Sequence, residues 1–131
     1  MRTLQVWIVD DSSPDVYLIQ LALSKTGVPM EIQSFQESER AMQAVEACRD
    51  RGAAPPDIVI LDMHMPKIDG AEILRVIRAA PNLSHVRVAV FGQAREHAPG
   101  FAADCYLRKP GDLDEFVAEI GRGLQQLRAQ L

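Results

Sequence analysis

A chain of 131 residues with 47% hydrophobic content is the size of one domain, which buries about two-thirds of its surface and needs no disulfide or metal to hold it together. Its net charge of −4 and pI near 5.3 argue against a chain-wide electrostatic footprint for nucleic acid, so direct DNA binding is not expected. No apolar run approaches the roughly 20 residues that span a bilayer, and the N-terminus enters strand-like sequence without a signal peptide, which points to the cytoplasm and to no membrane partner.

In chain order, Leu4 to Val9 reads as a strand by its apolar and β-branched content, and it runs into Asp10-Asp11. Ser13 is then a plausible N-cap with Pro14 at the first helical position, and the helix should continue to about Thr26, with Gly27 as its stop. Val16, Ile19, Ala22 and Leu23 share one face; Tyr17, Leu18 and Leu21 lie elsewhere around the wheel, either covered by neighbours or left for a partner. Met30 to Phe35 makes a second strand, and Ser38 to Arg51 a second helix closed by Gly52. Ile58-Val59-Ile60-Leu61 is a run suited to a strand buried on both faces, and it ends in Asp62. Met63-His64-Met65-Pro66 leaves the sheet, and Asp69-Gly70 opens a third helix whose Ile73, Leu74 and Ile77 should face the core.

Arg87 to Phe91 is the fourth strand. The span that follows contains Pro99-Gly100, which would cost about 3 kcal/mol or more inside a helix, so a short or irregular helix is expected there. Cys105 to Arg108 is the fifth strand, leading to Lys109-Pro110. Asp112 and Glu115 form a capping-box-like pair ahead of a terminal helix, with Leu113, Phe116, Ile120, Leu124 and Leu127 on one side and Gly121 and Gly123 as weakening residues. Cys48 and Cys105 have no CxxC spacing and read as buried free thiols; the three histidines are scattered, which leaves a zinc site without support.

Strands alternating with helices give an α/β fold, a flavodoxin-like doubly wound five-stranded parallel sheet of order 2-1-3-4-5 with a shortened fourth helix, in one domain spanning 1–131. In that order the first and third strands are neighbours, so Asp10, Asp11 and Asp62 converge at the carboxyl edge where such sheets bind ligands. Two carboxylates 4 Å apart repel by about 4 kcal/mol at an effective dielectric near 20, so three in one crevice call for a cation. Oxygen donors with room for water suit magnesium.

The residues Asp10-Asp11, Asp62 with its following Met65-Pro66 and Asp69-Gly70, and Lys109-Pro110 together resemble the receiver domain of two-component response regulators, over nearly the whole chain. The resemblance implies that Asp62 accepts a phosphoryl group from phosphohistidine of a sensor histidine kinase or phosphotransfer protein. It implies that Asp11 and Asp62 bind the magnesium directly, Asp10 mainly through water, and His64 through its backbone carbonyl. Lys109 would contact the phosphoryl group, and the Lys109–Pro110 peptide would be cis. Such a protein is not a turnover enzyme; it catalyses only its own phosphorylation and dephosphorylation. Because the chain stops after the last helix, it reads as a stand-alone regulator with an unnamed downstream protein target, and a homodimer is left open.

One position departs from the pattern. Receivers carry Ser or Thr at the end of the fourth strand, coupled to an aromatic residue on the fifth; here Gly92 stands there while Tyr106 keeps the aromatic place, so phosphorylation should shift the conformation less. The short span after Gly92 should also truncate the surface many receivers use for assembly. Gly92 motivates the competing reading of a phosphorylation-independent binding module. An aspartyl-phosphate phosphatase fits less well, since those usually show Asp-x-Asp after the first strand, and an FMN carrier less still, since Asp10-Asp11 would repel its phosphate.

Overall fold

The computed structural model describes residues 2–91, 103–109 and 111–131. Its sheet contains β1 (Leu4–Val9), β2 (Met30–Phe35), β3 (Ile58–Asp62), β4 (Arg87–Phe91) and β5 (Cys105–Leu107), all parallel, in the order β2-β1-β3-β4-β5. The helices are α1 (Ser13–Ser24), α2 (Ser38–Arg51), α3 (Gly70–Ala79) and α4 (Leu113–Arg128), and a 3-10 turn (Pro81–Leu83) follows α3. The shortened helix expected between the fourth and fifth strands falls on 92–102, outside the described residues.

Successive strand residues point to opposite faces, and the apolar strands fill both. Val6, Ile8, Ile58, Ile60, Ala89, Cys105 and Leu107 meet Val16, Ile19 and Leu23 of α1 and Phe116, Ile120 and Leu124 of α4. Trp7, Val9, Val59, Leu61, Val88 and Val90 meet Ala41, Val45 and Cys48 of α2 and Ile73, Leu74 and Ile77 of α3. On the latter face, Trp7 packs edge-on to Phe35 with ring centroids 5.1 Å apart. Both cysteines are free and buried, as expected. Among the described residues no helix is long and apolar enough to cross a membrane.

Several local expectations shift. The N-cap of α1 is Ser12, whose hydroxyl accepts from the Asp15 amide; Ser13 is already helical and donates to Gln36 instead. The helix ends at Ser24, earlier than Thr26, because Ser24 and Thr26 hydroxyls donate to Leu21 and Leu23 carbonyls and draw the chain into a turn that closes at Gly27, φ +74°. On α1 Leu18 packs against the core, whereas Tyr17 is 64% exposed. Leu113 does not join the core side of α4: as the first helical residue it is 46% exposed.

At the sheet edge opposite the acidic one, buried Asp57 and partly buried Asp104 tie strands together. Asp57, just before β3, accepts from the Gln5 amide and the Arg2 guanidinium. Asp104, just before β5, accepts from the Val88 amide and from Arg78 and Arg87. These carboxylates satisfy main-chain donors where β1 and β4 begin, a structural role.

Candidate functional site

Strand parity assembles the site. Val6 and Ile8, Ile58 and Ile60, Ala89, and Cys105 and Leu107 all point to the face covered by α1 and α4. Two residues further along each chain stand Asp10, Asp62, Phe91 and Lys109, so the same alternation carries these four side chains toward one place at the carboxyl ends of adjacent strands. Asp10 is 1% exposed and Asp62 8%, while Asp11 beside them is exposed. Among the described residues, carboxylate oxygens of Asp10, Asp11 and Asp62 lie within 4.8 Å of one another.

The loop after β3 is fastened so that Asp62 has one orientation. Its Oδ1 accepts from the His64 amide at 3.0 Å, and the Gly70 amide donates to the Met63 carbonyl at 3.1 Å. Gly70 permits this close return, since a Cβ there would fall on the Asp62 carbonyl oxygen and lie 2.7 Å from the Met63 Cα. Buried Ser38 at the start of α2 donates to the Pro66 carbonyl at 2.8 Å and accepts from the Ile68 amide at 3.1 Å, pinning the loop from the other side. Between those two anchors Lys67 adopts φ +72°, a left-handed conformation that side-chain-bearing residues seldom take without such constraint. Asp69 caps α3 by accepting from the Glu72 amide at 3.0 Å, as its sequence position predicts.

Lys109 reaches back across the crevice. Its Nζ donates to Asp10 Oδ2 at 2.8 Å and to Asp15 Oδ2 at 2.9 Å, and stands 3.5 Å from Asp62 Oδ2. Beneath it lies the Phe91 ring, 5.0 Å from Nζ to centroid, which itself stacks on Phe116 of α4 at 6.1 Å. Burial alone would lower the lysine pKa, but the bonds to Asp10 and Asp15 and the charges of Asp10 and Asp62 outweigh it, so the ammonium is held above its ordinary value. At Asp10 burial dominates in the other direction: it pushes the carboxyl up, against the lowering by Lys109 and by the Ser12 amide, with the Asp62 charge adding to the rise.

Donor chemistry and spacing fit a hard divalent cation. Asp10, Asp11 and Asp62 bring carboxylate oxygens within 4.8 Å of one another, the all-oxygen donor set that magnesium takes alongside water. Of the other residues singled out in the sequence, His64 is exposed in the same loop and Tyr106 is half-buried on the face of α2 and α3. Gly92 and Pro110, and with Pro110 the peptide expected to be cis, lie outside the described residues. Asp15 was not singled out: an acid in the first turn of a helix reads as a partner of the helix dipole, and only the fold brings it to a lysine 94 positions away.

The response regulator receiver domain profile matches residues 6–121. The chain belongs to that family. It is 29% identical to the DNA-binding transcriptional regulator NtrC of Proteus hauseri over 99% of this chain, but spans only 26% of NtrC. To the response regulator Rcp1 of Synechocystis it is 27% identical over 88% of this chain and 82% of Rcp1. The phosphorylated cyanobacterial phytochrome response regulator RcpA superposes with a TM-score of 0.85 at 25% identity, covering 99% of this chain and 97% of that one. The Mn2+-bound form of Rcp1 has the same fold, with a TM-score of 0.78 at 23% identity and coverage of 91% and 90%. This receiver therefore shares its fold with proteins solved in phosphorylated and in metal-bound forms.

Proposed function

We propose that this receiver accepts a phosphoryl group on Asp62 from phosphohistidine of a sensor histidine kinase or phosphotransfer protein, in a magnesium-dependent phosphorelay. The observation that carries the proposal is the set of contacts on Asp62: one oxygen held by the His64 amide, the other facing the Lys109 ammonium, and both beside Asp10 and Asp11. In the transfer an Asp62 oxygen forms the O–P bond as the N–P bond of phosphohistidine breaks, and the imidazole leaves with the electron pair. Lys109 offers positive charge to the transferring oxygens, and the His64 amide fixes the nucleophile so that little reorganisation is needed. Asp10, Asp11, Asp62 and the His64 carbonyl would hold the cation. Bound there, magnesium supplies charge neutralisation between the carboxylates and the phosphoryl oxygens.

Water attack on the acyl phosphate resets the site, so the protein turns over no substrate beyond its own aspartyl phosphate. The net charge of −4 and pI near 5.3 favour a downstream protein target over direct contact with DNA. Gly92 in place of a hydroxyl withholds one charge-assisted bond from the phosphorylated state, which weakens the conformational response by comparison with receivers that have it. The test is transfer from a phosphorylated histidine kinase: label should move to this chain when magnesium is present and stay on the kinase when the metal is chelated. No transfer from any kinase of the host would overturn the phosphorelay.

A further inference from the structure

The lysine that faces Asp62 is bound by a carboxylate that is not part of the metal group. An ammonium has three N–H donors. In this structure two are taken by Asp10 at 2.8 Å and Asp15 at 2.9 Å, and an Asp62 oxygen lies 3.5 Å from Nζ. The ammonium has a further contact, since Nζ rests over the Phe91 ring. Of the two carboxylate anchors, Asp10 also belongs to the trio within 4.8 Å, whereas Asp15 does not. Asp10 would be shared with a cation held by that trio, whereas Asp15 would stay committed to the lysine. Asp15 is itself placed by the same turn: the Asp15 amide donates to Ser12 Oγ at 3.3 Å, and the Ser12 amide donates to Asp10 Oδ1 at 2.9 Å.

We infer that Asp15 is a positioning residue for phosphoryl transfer, acting through Lys109: by holding the ammonium from the α1 side it keeps Nζ beside Asp62, where the phosphoryl group arrives. The inference rests on the proposed phosphoryl acceptance. The ordinary alternative is that Asp15 only favours the N-terminus of α1 through the helix dipole. That role would affect folding and leave the rate of the folded protein unchanged.

The experiment compares rates of phosphorylation by phosphoramidate with saturating magnesium. Asp15→Ala keeps the amide that Ser12 caps, and should slow labelling about tenfold, the scale on which displaced positioning groups act. Asp15→Asn, which retains an acceptor oxygen, should lose less. The Asp15→Ala/Lys109→Ala double variant should be no slower than Lys109→Ala alone, because the effect passes through the lysine. As a second reading, the Lys109 ammonium resonance in NMR should be slow-exchanging in wild type and broadened in Asp15→Ala, with the backbone spectrum away from α1 preserved. Equal rates for wild type and Asp15→Ala, a multiplicative loss in the double variant, or an unchanged ammonium signal would overturn the inference. Wild type that takes no phosphoryl group at all is a different result, which overturns the proposed function and this inference with it.

Discussion

At Gly70 the chain needs the absence of a side chain rather than a particular one. The missing Cβ lets α3 begin against the backbone of Asp62 and Met63, and the Gly70 amide closes the loop onto the Met63 carbonyl. Both clashing partners are main chain, at the end of β3 and just beyond it, so they cannot rotate aside. Gly70→Ala should cost about 1–3 kcal/mol, the usual range for an overpacked site, and should slow phosphorylation because Asp62 moves with the displaced backbone. Urea unfolding with an unchanged midpoint would show that the loop relaxes freely. Asp-Gly reads in sequence as turn chemistry and a cap, and the Asp69 cap is there; the closeness of the backbone behind Gly70 is tertiary and leaves no local signal.

The glycines of α4 separate at the scale of the element. Each was expected to weaken the helix, and for Gly121 that stands, since a Cβ would meet nothing within 4 Å. At Gly123 a Cβ would lie 2.7 Å from Leu107 Cδ2 and 3.5 Å from Cys105 Sγ, so the glycine sets how closely α4 sits on β5. Gly121→Ala should therefore stabilise the protein by about 0.5–1 kcal/mol. Gly123→Ala should be less stable than Gly121→Ala by about 1–3 kcal/mol, because fully buried Leu107 must leave its rotamer. Paired thermal melts decide it, and equal stabilisation by both would contradict the packing account. Other elements show where local reading stops. Two adjacent serines before Pro14 both qualify as caps, and the choice of Ser12 over Ser13 is made by Asp10, whose carboxylate accepts from the Ser12 amide. Leu113 continues the apolar stripe of α4 in sequence but precedes the point where the helix meets the sheet.

At the scale of the molecule, the fold was legible because β1, β3 and β4 are largely apolar runs and α2, α3 and α4 carry one-sided stripes; the 2-1-3-4-5 order, a common one for doubly wound sheets, is the one the structure has. The acidic crevice was legible because Asp10, Asp62 and Lys109 end strands that the order makes neighbours or near neighbours. Asp15, Asp57 and Asp104 were not, since nothing local marks an acid as the partner of a cation or amide far along the chain. Gathering three carboxylates has a cost that a cation relieves. Magnesium at ten times its dissociation constant should therefore stabilise the fold by about 1.4 kcal/mol. The accompanying rise in Tm should vanish in Asp10→Asn and in Asp62→Asn; a rise of the same size in those variants would place the ion elsewhere.

The central claim is that Asp62 is the phosphoacceptor, and mass spectrometry after incubation with phosphoramidate and magnesium tests it most directly. The account predicts a single added phosphoryl group, mapped to Asp62, absent when the metal is chelated and absent in Asp62→Asn. Undiminished labelling of Asp62→Asn, or labelling of wild type at another residue, would contradict it.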